Sequence, residues 1–397
     1  MFRVAVEMLM GDKPKYIGLL VGITFTAFLM TFALSYFAGF LSRGFALVSE
    51  NPSADIWVMD GAVNSTEAII NMSDSASARV KSVAGVSNAT SLYIGDITAR
   101  YANGDFQSFQ MIGVDDATLS GSPKENNGIG EDALRLPQSV IVDGGGTIGK
   151  LLTPKLKKDR WQFDGVHLNI TTRELAFGDE MLIDDKRVVV SGVSKTLSRF
   201  PPRPLIYTTI SNFKRLTPSQ SKRLTFVLVK AQKGISAEKL AIKITKQTGL
   251  KAITNDEFKK ETVIWYLKNS EDVGDMMSMV ILAMLVGFGV TGVMLYMFTY
   301  ENLKQYGVLK AMGASNKQLR VMVFTQVFIG VVIGSGIGVG LCAVIGEIIS
   351  GVEYPFRMMW FTPIVGFLGV LIVSITAGII STRPVIKLEP AIVFSGR

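Results

Sequence analysis

The residue types that build most catalytic and metal centres are nearly missing from this 397-residue chain, which holds one histidine, His167, and one cysteine, Cys342. A single imidazole excludes a metal cluster of two or more histidines and confines any Ser-His-Asp triad to His167. A lone cysteine excludes an internal disulfide. Any domain outside a membrane must then stand on its buried apolar surface, which a segment of about 230 residues can do. Charge is missing from four long stretches. No Asp, Glu, Lys or Arg lies between Lys15 and Arg43, Asp275 and Glu301, Arg320 and Glu347, or Arg357 and Arg383. Each exceeds the roughly 20 helical residues that cross a bilayer core.

What is present sharpens that reading. Hydrophobic residues make up 48% of the chain and are gathered into those four stretches. The first is too long for the apolar core of a cleaved signal peptide, so it reads as a retained span. The net charge of +8 would raise nucleic-acid binding on a soluble protein, but the placement of the charges argues against that partner. Arg3, Lys13 and Lys15 precede the first span; Lys304, Lys310, Lys317 and Arg320 lie between the second and third; Arg383, Lys387 and Arg397 follow the fourth. The loop between spans three and four has only Arg357. By the positive-inside rule both termini and the 301–320 loop are cytoplasmic.

The expected fold is therefore an integral membrane α-helical protein with four transmembrane helices. An α+β extracytoplasmic domain of two subdomains is inserted between helices 1 and 2. A cytoplasmic interfacial helix (1–15) and the first span (16–42) lead to that domain, which ends in a stalk helix (43–274). The second span (275–300), a cytoplasmic loop (301–320), the third span (321–349), a short outer loop (350–359), the fourth span (360–382) and a cytoplasmic tail (383–397) complete the chain. Asn64, Asn71, Asn88 and Asn169 open Asn-x-Ser/Thr triplets, which arise by chance in such a polar segment. They do not move the expected home from a bacterial inner membrane.

Within 43–274, β-branched and apolar runs predict strands at 54–59, 107–114, 139–143, 187–193 and 224–230. Helical spacing predicts helices over 66–83 and 236–248, and over 254–274 as a continuous approach to the second span. The Gly-, Pro-, Asn- and Asp-rich stretch 115–137 reads as an exposed loop. GGGTIGKL, from Gly144 to Leu151, approaches a phosphate-binding loop after a strand, but Leu151 stands where a Ser or Thr should reach Mg²⁺. A glycine turn between strand and helix is the simpler reading. Asp115/Asp116 and Asp184/Asp185 read as solvated turn residues rather than acid/base pairs.

In the third span, Gly330, Gly334 and Gly338 stand four apart, a small-xxx-small stripe that lets helix backbones approach within a subunit or between two. Glu347, near its outer end, reads as reaching the interface. The 300–323 stretch, YENLKQYGVLKAMGASNKQLRVMV, is too charged for the bilayer core. Leu303, Tyr306, Leu309 and Met312 recur at helical spacing there, as an exposed docking face or a helix lying on the membrane. Gly313 permits a sharp turn, and Ala314-Ser315 offers a cap for the next helix.

That loop resembles the coupling segment of the FtsX/MacB-like permeases of type VII ABC transporters. Glu301, Gly307, Val308, Leu309, Lys310, Ala311, Met312, Gly313 and Ala314 stand in the places of that family's pattern. ADIWVM at 54–59, the Gly-Asp strand pair at 177–193 and LEPAIVF near the C-terminus are similar to further family segments. The resemblance, closest to DevC-type permeases, implies a chain that binds no cofactor and is not an enzyme. A separate cytoplasmic ATPase would bind ATP and Mg and grip the 301–320 loop. The family also implies a homodimer and a periplasmic membrane-fusion adaptor. Its function would be export or extraction of a hydrophobic or amphiphilic substrate. The FtsX-like alternative is a transmembrane regulator relaying motion to a cell-wall hydrolase. One departure is Gln326, where many relatives carry an acidic residue.

Overall fold

A computed structural model describes residues 2–11, 13–124, 126–128, 130–161, 165–167, 169–220, 224–350 and 354–387. The chain forms two compact units, Met1–Phe40 with Glu271–Arg397, and Leu41–Ser270. In chain order, α1 (Phe2–Gly11) and α2 (Lys13–Gly44) are followed by the single turn α3 (Ala46–Glu50), β1 (Ile56–Met59) and α4 (Ser75–Lys81). Then come β2 (Val86–Arg100), β3 (Phe106–Val114), β4 (Asn126–Gly128), β5 (Ser139–Asp143), β6 (Leu152–Pro154) and β7 (Thr172–Glu174). Next are β8 (Glu180–Ile183), β9 (Lys186–Ser194), β10 (Leu205–Thr209), α5 (Ile210–Leu216), β11 (Phe226–Ala231), α6 (Ala237–Thr248), β12 (Lys251–Thr254) and α7 (Asn255–Asn269). The last elements are α8 (Glu271–Glu301), α9 (Leu303–Ala311), α10 (Asn316–Ser350) and α11 (Thr362–Lys387).

The second unit is the α+β domain expected between the first two spans. Its main sheet runs β12-β1-β11-β2-β3-β10-β5-β9-β4, with β8 bridging β2 and β9. Among the described residues only β3/β10 and β5/β9 pair in parallel. Period-two alternation sends Ile56 and Val58 of β1 into one apolar cluster and Trp57 and Met59 into another, so the sheet is covered on both faces. The five strands expected from the sequence are present as β1, β3, β5, β9 and β11.

Four expectations are corrected in this unit. The helix expected over 66–83 shrinks to α4, because Ser65 Oγ accepts from Glu67 N and Ala68 N and Thr66 Oγ1 donates to Gly44 O, fixing 65–68 in another conformation. The stretch 115–137 is not simply an exposed loop: β4 and a 3₁₀ turn at Glu131–Arg135 lie in it, and Leu119, Ala133 and Leu134 are buried. The triple glycine leads into a turn and the short strand β6 rather than a helix. The helix expected over 254–274 is broken: α7 starts with a capping box of Thr254 and Glu257 and stops at Asn269, and Ser270 is extended. The helix expected at 236–248 is α6, closed by Gly249 in the left-handed conformation.

The first unit holds four helices long and apolar enough to cross a membrane: α2, α8, α10 and α11. Pro14 sits in the first turn of α2, where its missing N–H leaves no hydrogen bond unmade. Thr26 Oγ1 of α2 bonds Gly287 O and Thr291 Oγ1 of α8, so two spans are joined by hydroxyls inside an apolar seam. α1 buries Ala5 and Leu9 in the same apolar cluster as α2, α8, α10 and α11, while Arg3 and Glu7 pair on its exposed side at 3.0 Å.

Candidate coupling hinge

The short helix α9 lies between α8 and α10, and its position follows from five local devices. Asn302, nearly fully buried, ends α8 by donating from Nδ2 to Phe298 O at 2.8 Å. Glu301 pairs with Lys15 at 3.7 Å, joining the last turn of α8 to the first turn of α2. Lys310 donates from Nζ to Ile386 O at 2.8 Å, tying α9 to the last described turn of α11. Gly313, at φ +98°, turns the chain where any side chain would be strained. Ser315 and Gln318 then exchange side-chain and backbone hydrogen bonds as the cap of α10.

At the centre is Tyr306, which is fully buried and donates to Gln326 Oε1 of α10 at 2.7 Å. Burial pushes its hydroxyl up from the usual tyrosine value, and the Gln326 bond pulls it back. The same amide donates from Nε2 to Ala5 O of α1 at 3.1 Å. One buried side chain thus ties α1, α9 and α10 together.

The expected apolar face of α9 is corrected by this geometry. Leu303 and Leu309 pack against the apolar cluster of the helical unit and Tyr306 lies inside it, so they anchor the hinge rather than present a surface. Gly307 is buried, Ala314 packs beside Leu309, and Lys310 is half-buried. The free face is made by Val308 (41% exposed), Ala311 and Met312 (70% exposed), which share one side of the helix. Apart from Gly313 and the Glu301–Lys15 pair, the accessible part of the expected site is this small tip.

Gly330, Gly334 and Gly338 come together with α2 of their own chain. A Cβ at Gly334 would lie 2.8 Å from Ile23 Cγ2, and one at Gly338 would lie 2.6 Å from Thr24 O and 2.9 Å from Phe28 N. That stripe is filled within the subunit. Sequence reasoning missed Ala5 and Lys15 as parts of the hinge and treated Gln326 only as a departure. A polar side chain in an apolar span was the available signal, because such groups are buried and paired. Among the described residues no group of three or more His, Cys, Asp or Glu residues gathers to hold a metal. The LEPAIVF segment lies outside the described residues.

Three comparisons bear on this arrangement. Residues 277–390 match the family described as FtsX-like permease C-terminal. Over 240 residues the chain is 27% identical to an uncharacterized ABC transporter permease of Methanocaldococcus jannaschii, covering 57% of this chain. The match spans 59% of that relative's length. Among solved structures, the periplasmic region of MacB from Actinobacillus actinomycetemcomitans matches 54% of this chain and 94% of its own, at 14% identity and a TM-score of 0.36. The extracellular domain of the noncanonic ABC-type transporter YknZ from Gram-positive bacteria matches 51% of this chain and 99% of its own, at 13% identity and a TM-score of 0.31. The chain has four spanning-type helices, and α9 with the last three of them falls in the matched segment: it is a multi-pass membrane protein that carries an FtsX-like permease domain and is homologous to an ABC transporter permease.

Proposed function

We propose that the chain is the membrane subunit of an ABC transporter whose separate cytoplasmic ATPase, holding ATP and Mg, grips the tip of α9. The supporting observation is the contrast within that helix. Val308 and Met312 are offered to a partner, while Tyr306, Leu309 and Lys310 fix the same helix to α10, α11 and the bundle core. A load on the tip would enter the spans instead of bending a loop. In this reading the membrane is the bacterial inner membrane with both termini cytoplasmic, the working unit is a homodimer, and the sheet domain drives export or extraction of a hydrophobic or amphiphilic substrate with a periplasmic adaptor.

The test is Met312→Asp, alone and with Val308→Asp, in the full chain. Both positions are exposed, so folding should survive while co-purification of the ATPase and stimulation of its turnover fall about tenfold or more. Undiminished pull-down and turnover would remove the basis of the reading. Capture of a cell-wall hydrolase instead of an adaptor by the full chain would reassign it to the regulator class.

A further inference from the structure

In the sheet domain, residues 195–204 join β9 to β10 without helix or strand, and those strands lie on either side of β5. Connections of this kind usually run over the surface and hold little. Here the Arg199 guanidinium is buried, pairing with Glu50 at the end of α3 and donating to Tyr207 Oη at 3.3 Å. Glu50 also accepts from Leu197 N at 2.8 Å. Four residues beyond Arg199, Arg203 pairs with Glu67. Between them, Phe200 O accepts from Tyr266 Oη of α7 at 2.7 Å, and the two rings meet edge to face.

Glu50, Glu67 and Tyr266 lie close in the chain to the two places where the domain joins the spanning helices. Glu50 follows the end of α2 by one turn of helix, and Glu67 adjoins Thr66, whose Oγ1 donates to Gly44 O at 2.6 Å. Gly44 itself packs under Tyr266: a Cβ there would lie 2.4 Å from Cε2 of the ring. Tyr266 is in the last turn of α7, and α8 begins two residues after α7 ends. The glycines that resembled a phosphate loop are the seat of the same segment. A Cβ on Gly145 would lie 1.9 Å from Arg203 O, one on Gly146 would lie 2.8 Å from Ser198 Cβ, and Arg199 N donates to Gly145 O.

Among the described residues, Nε and Nη1 of Arg199 and Nε of Arg203 find no acceptor, so each guanidinium depends on few contacts. Burial pushes the Glu50 and Glu67 carboxyls above the usual range, with Arg199 and Arg203 pulling them back. A buried pair of that kind contributes little net stability, yet removing one partner leaves an uncompensated charge. Its value lies in fixing geometry.

We propose that residues 195–204 are a clamp that makes the exit of the first spanning helix and the approach to the second one mechanical body, with Arg199–Glu50 and Arg203–Glu67 as its fastenings. A displacement arriving along either helix then reaches β9 and β10 together. Its use in transmission rests on the permease reading above; its existence as one body does not. The test is hydrogen–deuterium exchange on the full chain in lipid nanodiscs without any ATPase. Arg203→Met is expected to raise amide exchange about tenfold in residues 44–50, 195–204 and 262–268 together, while β2 and β3 keep their protection. Loosening confined to 195–204 overturns the clamp. If Arg203→Met also opens β2 and β3, Tyr266→Phe, which removes a single hydroxyl, is read instead. It should loosen 195–204 and 44–50 together, and an effect limited to α7 overturns the proposal.

Discussion

At the scale of single residues, Gln326 shows why residue type and position must be read together. Its amide accepts from Tyr306 Oη through one atom and donates to Ala5 O through the other, and both bonds are buried. A carboxylate can serve Tyr306 but turns an acceptor toward the Ala5 carbonyl. Gln326→Glu, which exchanges the amide for a carboxyl of the same shape, is therefore expected to lose about 1–3 kcal/mol at neutral pH, the cost of a buried unsatisfied acceptor. Thermal unfolding in detergent checks this. The loss should shrink as pH falls, because a protonated carboxyl regains the donor that Ala5 O requires. An unchanged melting temperature at neutral pH would show that α1 does not depend on this amide.

At the scale of elements, glycine placement separates packing within the chain from packing between chains. Gly338→Ala puts a methyl group against Thr24 O and Phe28 N, backbone atoms that cannot rotate away. It should cost about 1–3 kcal/mol, as overpacking does, and lower the melting temperature of the chain without weakening self-association. Gly336→Ala and Gly340→Ala, where a Cβ meets nothing within 4 Å among the described residues, are the controls and should leave melting unchanged. If Gly338→Ala instead split dimers and spared melting, the stripe would be an intersubunit seam. Element legibility in the sequence followed the same logic of who packs on whom. Strands such as β5, SVIVD, are buried throughout and read as apolar runs. The central strand β2 was invisible because VSNATSLYIGDITAR spends Asn88, Ser91, Gly95 and Asp96 at part-exposed or exposed positions, and its identity comes from its hairpin with β3 and its long-range pairing with β11. On α9 the spacing of Leu303, Tyr306 and Leu309 was legible, but whether that face met solvent or the bundle depended on Gln326, far along the chain.

At the scale of the molecule, the helical unit has two unlike ends. Lys15–Glu301 and Lys310–Ile386 O bring the start of α2 and the ends of α8 and α11 to the hinge end, whereas Ser35 Oγ–Thr362 Oγ1 and Arg357 N–Ser35 O join the late part of α2 to the start of α11 at the other. Lys13, Lys15, Lys304, Lys310, Lys317, Arg320, Arg383 and Lys387 thus gather at the hinge end, and Arg357 stands near the opposite one. Such an asymmetry orients a bundle in a membrane with its basic end toward the cytoplasm. The scarcity of cysteine makes this directly measurable, because Cys342 is buried and can be replaced by Ala. In that background, Met312→Cys at the hinge tip and Lys124→Cys on the sheet domain each provide one exposed thiol. A membrane-impermeant maleimide should label Met312→Cys only in inside-out vesicles and Lys124→Cys only in right-side-out ones. Labelling of Met312→Cys from outside would place the hinge away from ATP, and no arrangement of α9 could then receive force from a cytoplasmic ATPase.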